Sequence, residues 1–485
     1  MNKKSLFYAM ALAIVAFYLI MTAAYRWGDG TPPQITLVEP FTHAGPTTPL
    51  ILRVEDAETG LQEVTVRLVQ NLESYTLAQE QFSAQSPLSI GGGAQDTFDL
   101  NILPFSDDTI PKRRGQVKLV IEARDSSWRG FFEGNWSRIE QNVAVKFTPP
   151  RLEVLSSPLP VSQGGAGIVA YRVSDDGQRY GVRIGETFFP GYPNPDRAFN
   201  AFSLFAFPHD LPASTPLFLV ADDGLGNHAE QRLDVTIIPK RWRSRTITIS
   251  DRFIEQTIRP IIAQTPELED LDDPLRNFLQ VNNVLRKRTT AQLATLAAGS
   301  QPEFLWNGAF VQLSNSQVEA AFADHREYRY GGNVVDTQYH LGFDLAVTKH
   351  YPVEAANDGK IVLAEDFGIY GNTIVIDHGY GLQSLYAHLS SFVAEKGDVV
   401  SKGQIIGRSG MTGLAAGDHL HFSLLLQGVQ INPVEWWDER WVQSRITDPL
   451  GKNDAAAPTD VPQTSVPPNR MGPLPPNRMG PSPPP

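Results

Sequence analysis

Hydrophobic positions change their spacing several times along the chain. From Ser5 to Tyr25 they are nearly continuous, with no charge among them, and Lys3 and Lys4 precede the run. About 20 apolar residues rising 1.5 Å each cross a hydrocarbon core of ~30 Å, so residues 1–29 are expected to hold a membrane-spanning signal anchor. The leading lysines should stay on the cytoplasmic side, which puts Arg26 and everything after it outside. Thr22-Ala23-Ala24 offers the small residues of a signal-peptidase site, so removal of the helix is the alternative, against which the length of the run speaks.

Beyond the anchor the apolar period falls to two. Two segments open alike, with "PPQITLVEP" from Pro32 and "PPRLEVLSSP" from Pro149. Each continues with an alternating strand that ends at an Asp turn, "LILRVEDAETG" and "GIVAYRVSDDG", and later with "VKLVIEARDSSW" and "LFLVADDGLGN". Short alternating strands punctuated by Gly, Asp, Asn and Pro, repeated over about a hundred residues, predict β-sandwiches. Residues 30–148 and 149–240 are read as tandem immunoglobulin-like domains.

Residues 241–302 switch to apolar positions three and four apart, a helical connector with breaks expected at Pro260, Pro266 and Pro274. Residues 303–445 return to strands and glycine turns, as in "GKIVLAEDF" and "GNTIVIDHGYG". Residues 446–485 contain "PPNRMGP" twice and cannot bury a core, so a disordered Pro-rich tail is expected. The fold class is therefore multidomain and mainly β, with one N-terminal transmembrane helix and a helical connector.

Composition narrows the chemistry. The 41 basic and 53 acidic residues give a net charge of −12, and no basic block is long enough to follow a phosphate backbone, which argues against nucleic acid. Cysteine is absent, so a metal would be held by His, Asp or Glu.

Those residue types cluster in the third β region: His340 and Asp344 in "HLGFD", His388 in "YAHL", and His419 with His421 in "HLH". On a strand His419 and His421 share a face, about 7 Å apart, while Leu420 faces away. A straight strand would part His340 from Asp344 by about 13 Å, so they share a site only if the chain bends, for which Gly342 is the natural place. Catalytic zinc takes three N or O ligands and keeps a fourth position open. His340, Asp344 and one member of the pair satisfy that count, and spacing leaves open which member.

The order "HLGFD", "YGNTIVIDHGYGLQSLYAHLS", "GDVVSKGQIIGRSGMTG", "GDHLHFSLL" and "QINPVEWW" resembles the lysostaphin/LytM-type zinc peptidases, which cleave peptide cross-links in bacterial cell walls. The resemblance covers about Phe322 to Trp437. It implies an antiparallel β peptidase domain in which His340, Asp344 and His421 bind Zn2+, with His388 and His419 assisting the water and the oxyanion. It also implies peptidoglycan stem peptides and cross-links as substrate.

Two other readings compete. A biotinyl- or lipoyl-carrier barrel would need its lysine at a hairpin tip, where Lys396 and Lys402 do not stand, and gives the histidines no role. A non-hydrolytic wall-binding or hydrolase-activating protein is the stronger rival, which the full set of five residues opposes. The whole then reads as a single-pass inner-membrane protein of a bacterial envelope with its bulk in the periplasm. The sandwiches are candidate contacts for other envelope proteins, and residues 250–335 are placed to cover the groove.

Overall fold

The computed structural model describes residues 3–71, 73–82, 95–106, 110–112, 114–155, 159–194 and 200–450. The expected tail lies outside them, apart from residues 446–450, which continue a helical stretch and bury Ile446 and Leu450. Helix α1 (Lys3–Gly28) is long and apolar enough to cross a membrane, and its Leu, Ile and Phe side chains are exposed on all sides.

The first sandwich sets a sheet of strands 34–37, 50–55 and 97–102 against a sheet of strands 43–44, 61–70, 73–81, 115–125 and 136–145. Alternation drives it: along Leu50–Glu55, Leu50, Leu52 and Val54 are buried while Arg53 and Glu55 are exposed. The inward positions meet Val66, Leu119 and Val143 in one core. In the second sandwich, strands 152–154, 166–173, 192–193 and 201–206 face strands 179–184, 187–190, 217–222 and 228–233.

The repeat seen in the sequence has a structural counterpart. Asp125 Oδ1 accepts from Asn135 N (2.7 Å) in one sandwich, and Asp223 Oδ1 accepts from Asn227 N (3.0 Å) in the other. The Asn amides then donate to the carbonyls of Asp29 and Lys146, each three residues before a proline pair.

The connector is helical over most of its length but begins with a strand, Ser244–Thr248, which pairs in parallel with β1 (Asp324–Tyr330). Pro260 does not break its first helical run, which continues to Gln264. A wider π-helical turn at Ile254–Ile258 sits immediately before the proline, where its ring and missing N–H would otherwise disturb an α turn. Pro274 opens the next helix at its first position, with Asp273 capping Arg276 N.

In the C-terminal region β1 forms a hairpin with β2 (Asn333–His340). A separate antiparallel sheet runs, among the described residues, in the order Gln317–Ala320, β3 (Phe343–Ala346), β5 (Leu420–Leu426), β4 (Leu382–Ala387), Asn372–Asp377, Gly359–Asp366, Val399–Val400. Its centre is buried on both faces, so β4 and β5 carry no exposed residue.

Candidate metal centre and active site

His340 is the last residue of β2 and pairs with Asp324, whereas Asp344 lies in β3 opposite His421 of β5. The chain thus leaves one sheet and enters another across Leu341 and Gly342, and this bend brings the two residues together. His340 Nε2 and His421 Nδ1 each lie 2.9 Å from Asp344 Oδ1 and 2.9 Å from one another. His419 Nε2 stands 3.5 Å from the same oxygen. His388 follows β4 in a left-handed conformation (φ 61°), which turns its ring to within 4.9 Å of His419 and 5.8 Å of His421. All five residues singled out in the sequence therefore meet in one cluster.

The outer nitrogens fix the tautomers. His340 Nδ1 donates to the carbonyl of Ala321 at 3.1 Å. The Ser423 hydroxyl donates to Leu341 O at 2.7 Å, so its oxygen accepts from His421 Nε2 at 3.0 Å. In the neutral imidazoles His340 Nε2 and His421 Nδ1 are then bare lone pairs, and both face a carboxylate oxygen. Burial pushes His340 down and His421 down to about 4, which keeps both neutral. Burial works against ionising Asp344, yet its neighbours, His340 foremost, hold its carboxyl well below the usual carboxylate range.

One proton can bridge only one of these contacts, whereas a divalent cation satisfies all three. The 2.9 Å separations approach the ~3.3 Å edges of a tetrahedron with metal–ligand bonds of about 2.0–2.1 Å. The donor set fits a metal ion.

The other two histidines differ in charge. Burial, reinforced by His419 and His421, drives His388 well below its ordinary value, and its Nδ1 donates to Thr412 O at 2.7 Å. For His419 burial acts downward too, but Asp344 outweighs it and the net direction is up; its Nδ1 donates to Gly417 O at 2.8 Å.

Sequence reasoning missed three neighbours. Arg326, from β1, donates to Asp344 Oδ2 at 2.9 Å; Ser423 orients His421; and the Tyr370 ring lies 5.5 Å from the His421 ring. Of these Tyr370 and Ser423 stood within the quoted motifs, "YGNTIVID" and "GDHLHFSLL", and Arg326 did not.

The cluster floors a cleft of ≈ 520 Å³. Connector residues Ile249, Phe253, Phe278 and Arg286 form one wall, and Ala415 to Asp418 contribute another. The remaining histidines stand apart from the cluster: His378 is buried between Asp358 O and the Ser384 hydroxyl, His209 packs on Phe322 and Tyr339, and His325 also packs on Tyr339.

Residues 338–433 match peptidase family M23. The chain is 42% identical over 95 residues to the DD-carboxypeptidase/endopeptidase Mpg of Neisseria meningitidis, covering 20% of this chain and 22% of that protein. It is 40% identical over 96 residues to the peptidoglycan DD-endopeptidase ShyA of Vibrio cholerae, with the same shares of 20% and 22%. The chain thus spans about a fifth of the length of these relatives. Among solved structures, the catalytic domain of lysostaphin from Staphylococcus simulans matches at 29% identity and a TM-score of 0.23, covering 27% of this chain and 98% of that one. All five clustered residues fall inside the matched stretch, and the C-terminal β region of this chain is a peptidase family M23 domain.

Proposed function

We propose that this chain is a zinc endopeptidase that hydrolyses peptide cross-links of bacterial peptidoglycan, held by α1 in the inner membrane with its sandwiches and peptidase domain in the periplasm. The observation that carries the reading is the convergence of His340 Nε2, His421 Nδ1 and Asp344 Oδ1 at 2.9 Å, inside a stretch matched to peptidase family M23. The relatives named as DD-endopeptidases support the substrate class.

His340, Asp344 and His421 would hold the zinc, which when bound supplies Lewis acidity to polarise the scissile carbonyl and acidify a water. His388, neutral and with Nδ1 spent on Thr412, offers Nε2 as a proton acceptor for that water. His419 presents Nε2 beside the cluster, 3.5 Å from Asp344 Oδ1, and in its protonated form would donate from it to the developing oxyanion. The water oxygen bonds to the scissile carbonyl carbon, the amide C–N bond breaks, and the proton collected by His388 passes to the leaving amine. Arg326 holds the second carboxylate oxygen of Asp344 and so fixes which oxygen faces the histidines.

The test uses the full chain on purified peptidoglycan, with released products followed by mass and metal content measured in parallel. Wild type should release cross-link cleavage products, His340→Ala should lose both products and metal, and His388→Ala should keep the metal and lose turnover. Identical products from wild type and His340→Ala, or none from wild type, would sink the enzyme reading. A non-hydrolytic activator would bind metal equally well but leave the cross-links intact.

A further inference from the structure

In the first sandwich, the loop between strands 115–125 and 136–145 turns back onto the end of α1. Trp128 N donates to Arg26 O at 2.9 Å, and Arg26 Nη1 donates to Ser126 O at 3.0 Å. The Trp27 ring packs on Trp128 at 5.4 Å and on Phe132 at 6.3 Å, and Trp128 and Phe132 lie 5.4 Å apart. The loop is therefore fixed at the level of the last turn of the helix.

Its tip points apolar rings away from the protein. Phe131 is 97% exposed, and Phe132, packed on one side by Trp27 and Trp128, is 59% exposed. Phe131 and Phe132 also adopt φ of 60° and 75°, a left-handed conformation that aromatic residues rarely take. Strain and exposed aromatic surface together demand a compensating contact, and packing within the protein supplies none for Phe131. Arg129 precedes these rings in the chain, with its guanidinium over Gly30, and Glu133 follows them.

We propose that the Trp128–Trp136 loop inserts its aromatic tip into the headgroup boundary of the lipid bilayer that α1 crosses. The inference rests on the reading of α1 as an uncleaved anchor. The 21 uncharged residues Ser5 to Tyr25 span about 31 Å, so Trp27 falls at the outer interface and carries the loop packed on it to the same depth. Exposed aromatic rings suit that zone, where the ring buries its apolar body at headgroup level. The first sandwich would then be held against the bilayer at two points, the helix end and the loop, rather than swinging from the helix alone.

The chain has no cysteine, so a single introduced thiol can be labelled uniquely. An environment-sensitive fluorophore is placed at Phe131→Cys, at Leu12→Cys inside α1, and at Val393→Cys, an exposed position of the peptidase domain. Each full-length variant is reconstituted into phosphatidylcholine/phosphatidylglycerol vesicles, with brominated acyl chains or aqueous iodide as quenchers. Bromolipid should quench the labels at 12 and 131, and iodide should quench only the label at 393. If the label at 12 responds to bromolipid while that at 131 behaves like that at 393, the anchor stands and the loop inference fails. If neither label responds to bromolipid, the anchor reading fails first. Shielding of the label at 131 from both quenchers means that protein rather than lipid covers it, which also overturns the proposal.

Discussion

At Gly342 a single hydrogen atom decides whether the cluster can form. A Cβ built there would meet His421 Nε2 at 2.5 Å and Ser423 Oγ at 2.6 Å, both far inside contact distance. Gly342→Ala should therefore push His421 off its Ser423 acceptor and turn Nδ1 away from Asp344. Metal affinity is expected to fall about 10–100-fold, as when an outer-shell partner is lost, with the circular dichroism spectrum unchanged. A chelator-competition titration measures this, and an unaltered affinity would mean that the backbone yields instead. The five clustered residues were legible through the order of their motifs and the resemblance it carries, and Gly342 was legible as the point where the chain had to bend. Arg326 and Ser423 were not. Ser423 looks like any polar residue two beyond His421 until the Leu341 carbonyl takes its proton, and Arg326 reaches Asp344 only because the β1–β2 hairpin folds over the second sheet.

His378, the residue after the strand Asn372–Asp377, shows how an element boundary can store a pH response. Its imidazole is fully buried, donates from Nδ1 to Asp358 O at 2.6 Å and has Nε2 2.7 Å from the Ser384 hydroxyl. Burial pushes it down to about 4, against about 6.5 for an exposed imidazole. Between those values the unfolded chain binds a proton that the folded chain refuses. Stability is thus full above about pH 6.5 and is lost as pH falls toward 4, by up to about 3 kcal/mol at 1.36 kcal/mol per pKa unit. His421 adds a shift of the same sign. The thermal midpoint of the metal-stripped protein should drop between pH 7 and pH 5, and His378→Gln should flatten part of that slope; equal slopes would remove His378 from the account. Of the elements, the alternating strands and the apolar N-terminal helix were legible from period alone. The strand Ser244–Thr248 was not, because its parallel pairing with β1 joins residues about eighty positions apart, and neither was the passage of a helix through Pro260, which depends on the π turn before it.

Across the whole molecule, the boundary at residue 240 separates two sets of strands but not two cores. The strand Ala201–Ala206 is buried along its entire length, because one face fills the second sandwich and the other meets the peptidase domain. Phe202 stacks on Phe304 at 5.8 Å and meets Tyr380 edge-on at 5.1 Å, while Gln427 Nε2 donates to the Tyr192 hydroxyl at 2.8 Å. A sequence reader sees only a buried strand here, since nothing in its period says what covers the second face. The first sandwich keeps a separate core. Truncating Phe202 to Ala should then cost about 3–5 kcal/mol, the range for deleting a buried phenyl ring. The loss should fall on the second sandwich and the peptidase domain together, because they share the contacts removed, while the first sandwich keeps its own unfolding temperature. Calorimetry of the full chain, with limited proteolysis to identify which segments become cleavable, separates the two cases. A transition of the second sandwich that moves while the peptidase domain stays in place would show that the shared face is contact without cooperativity. A joint shift would mean that the cleft over the histidine cluster is oriented by the second sandwich as one rigid piece, so that its motion relative to the first sandwich is confined to the joint between the two.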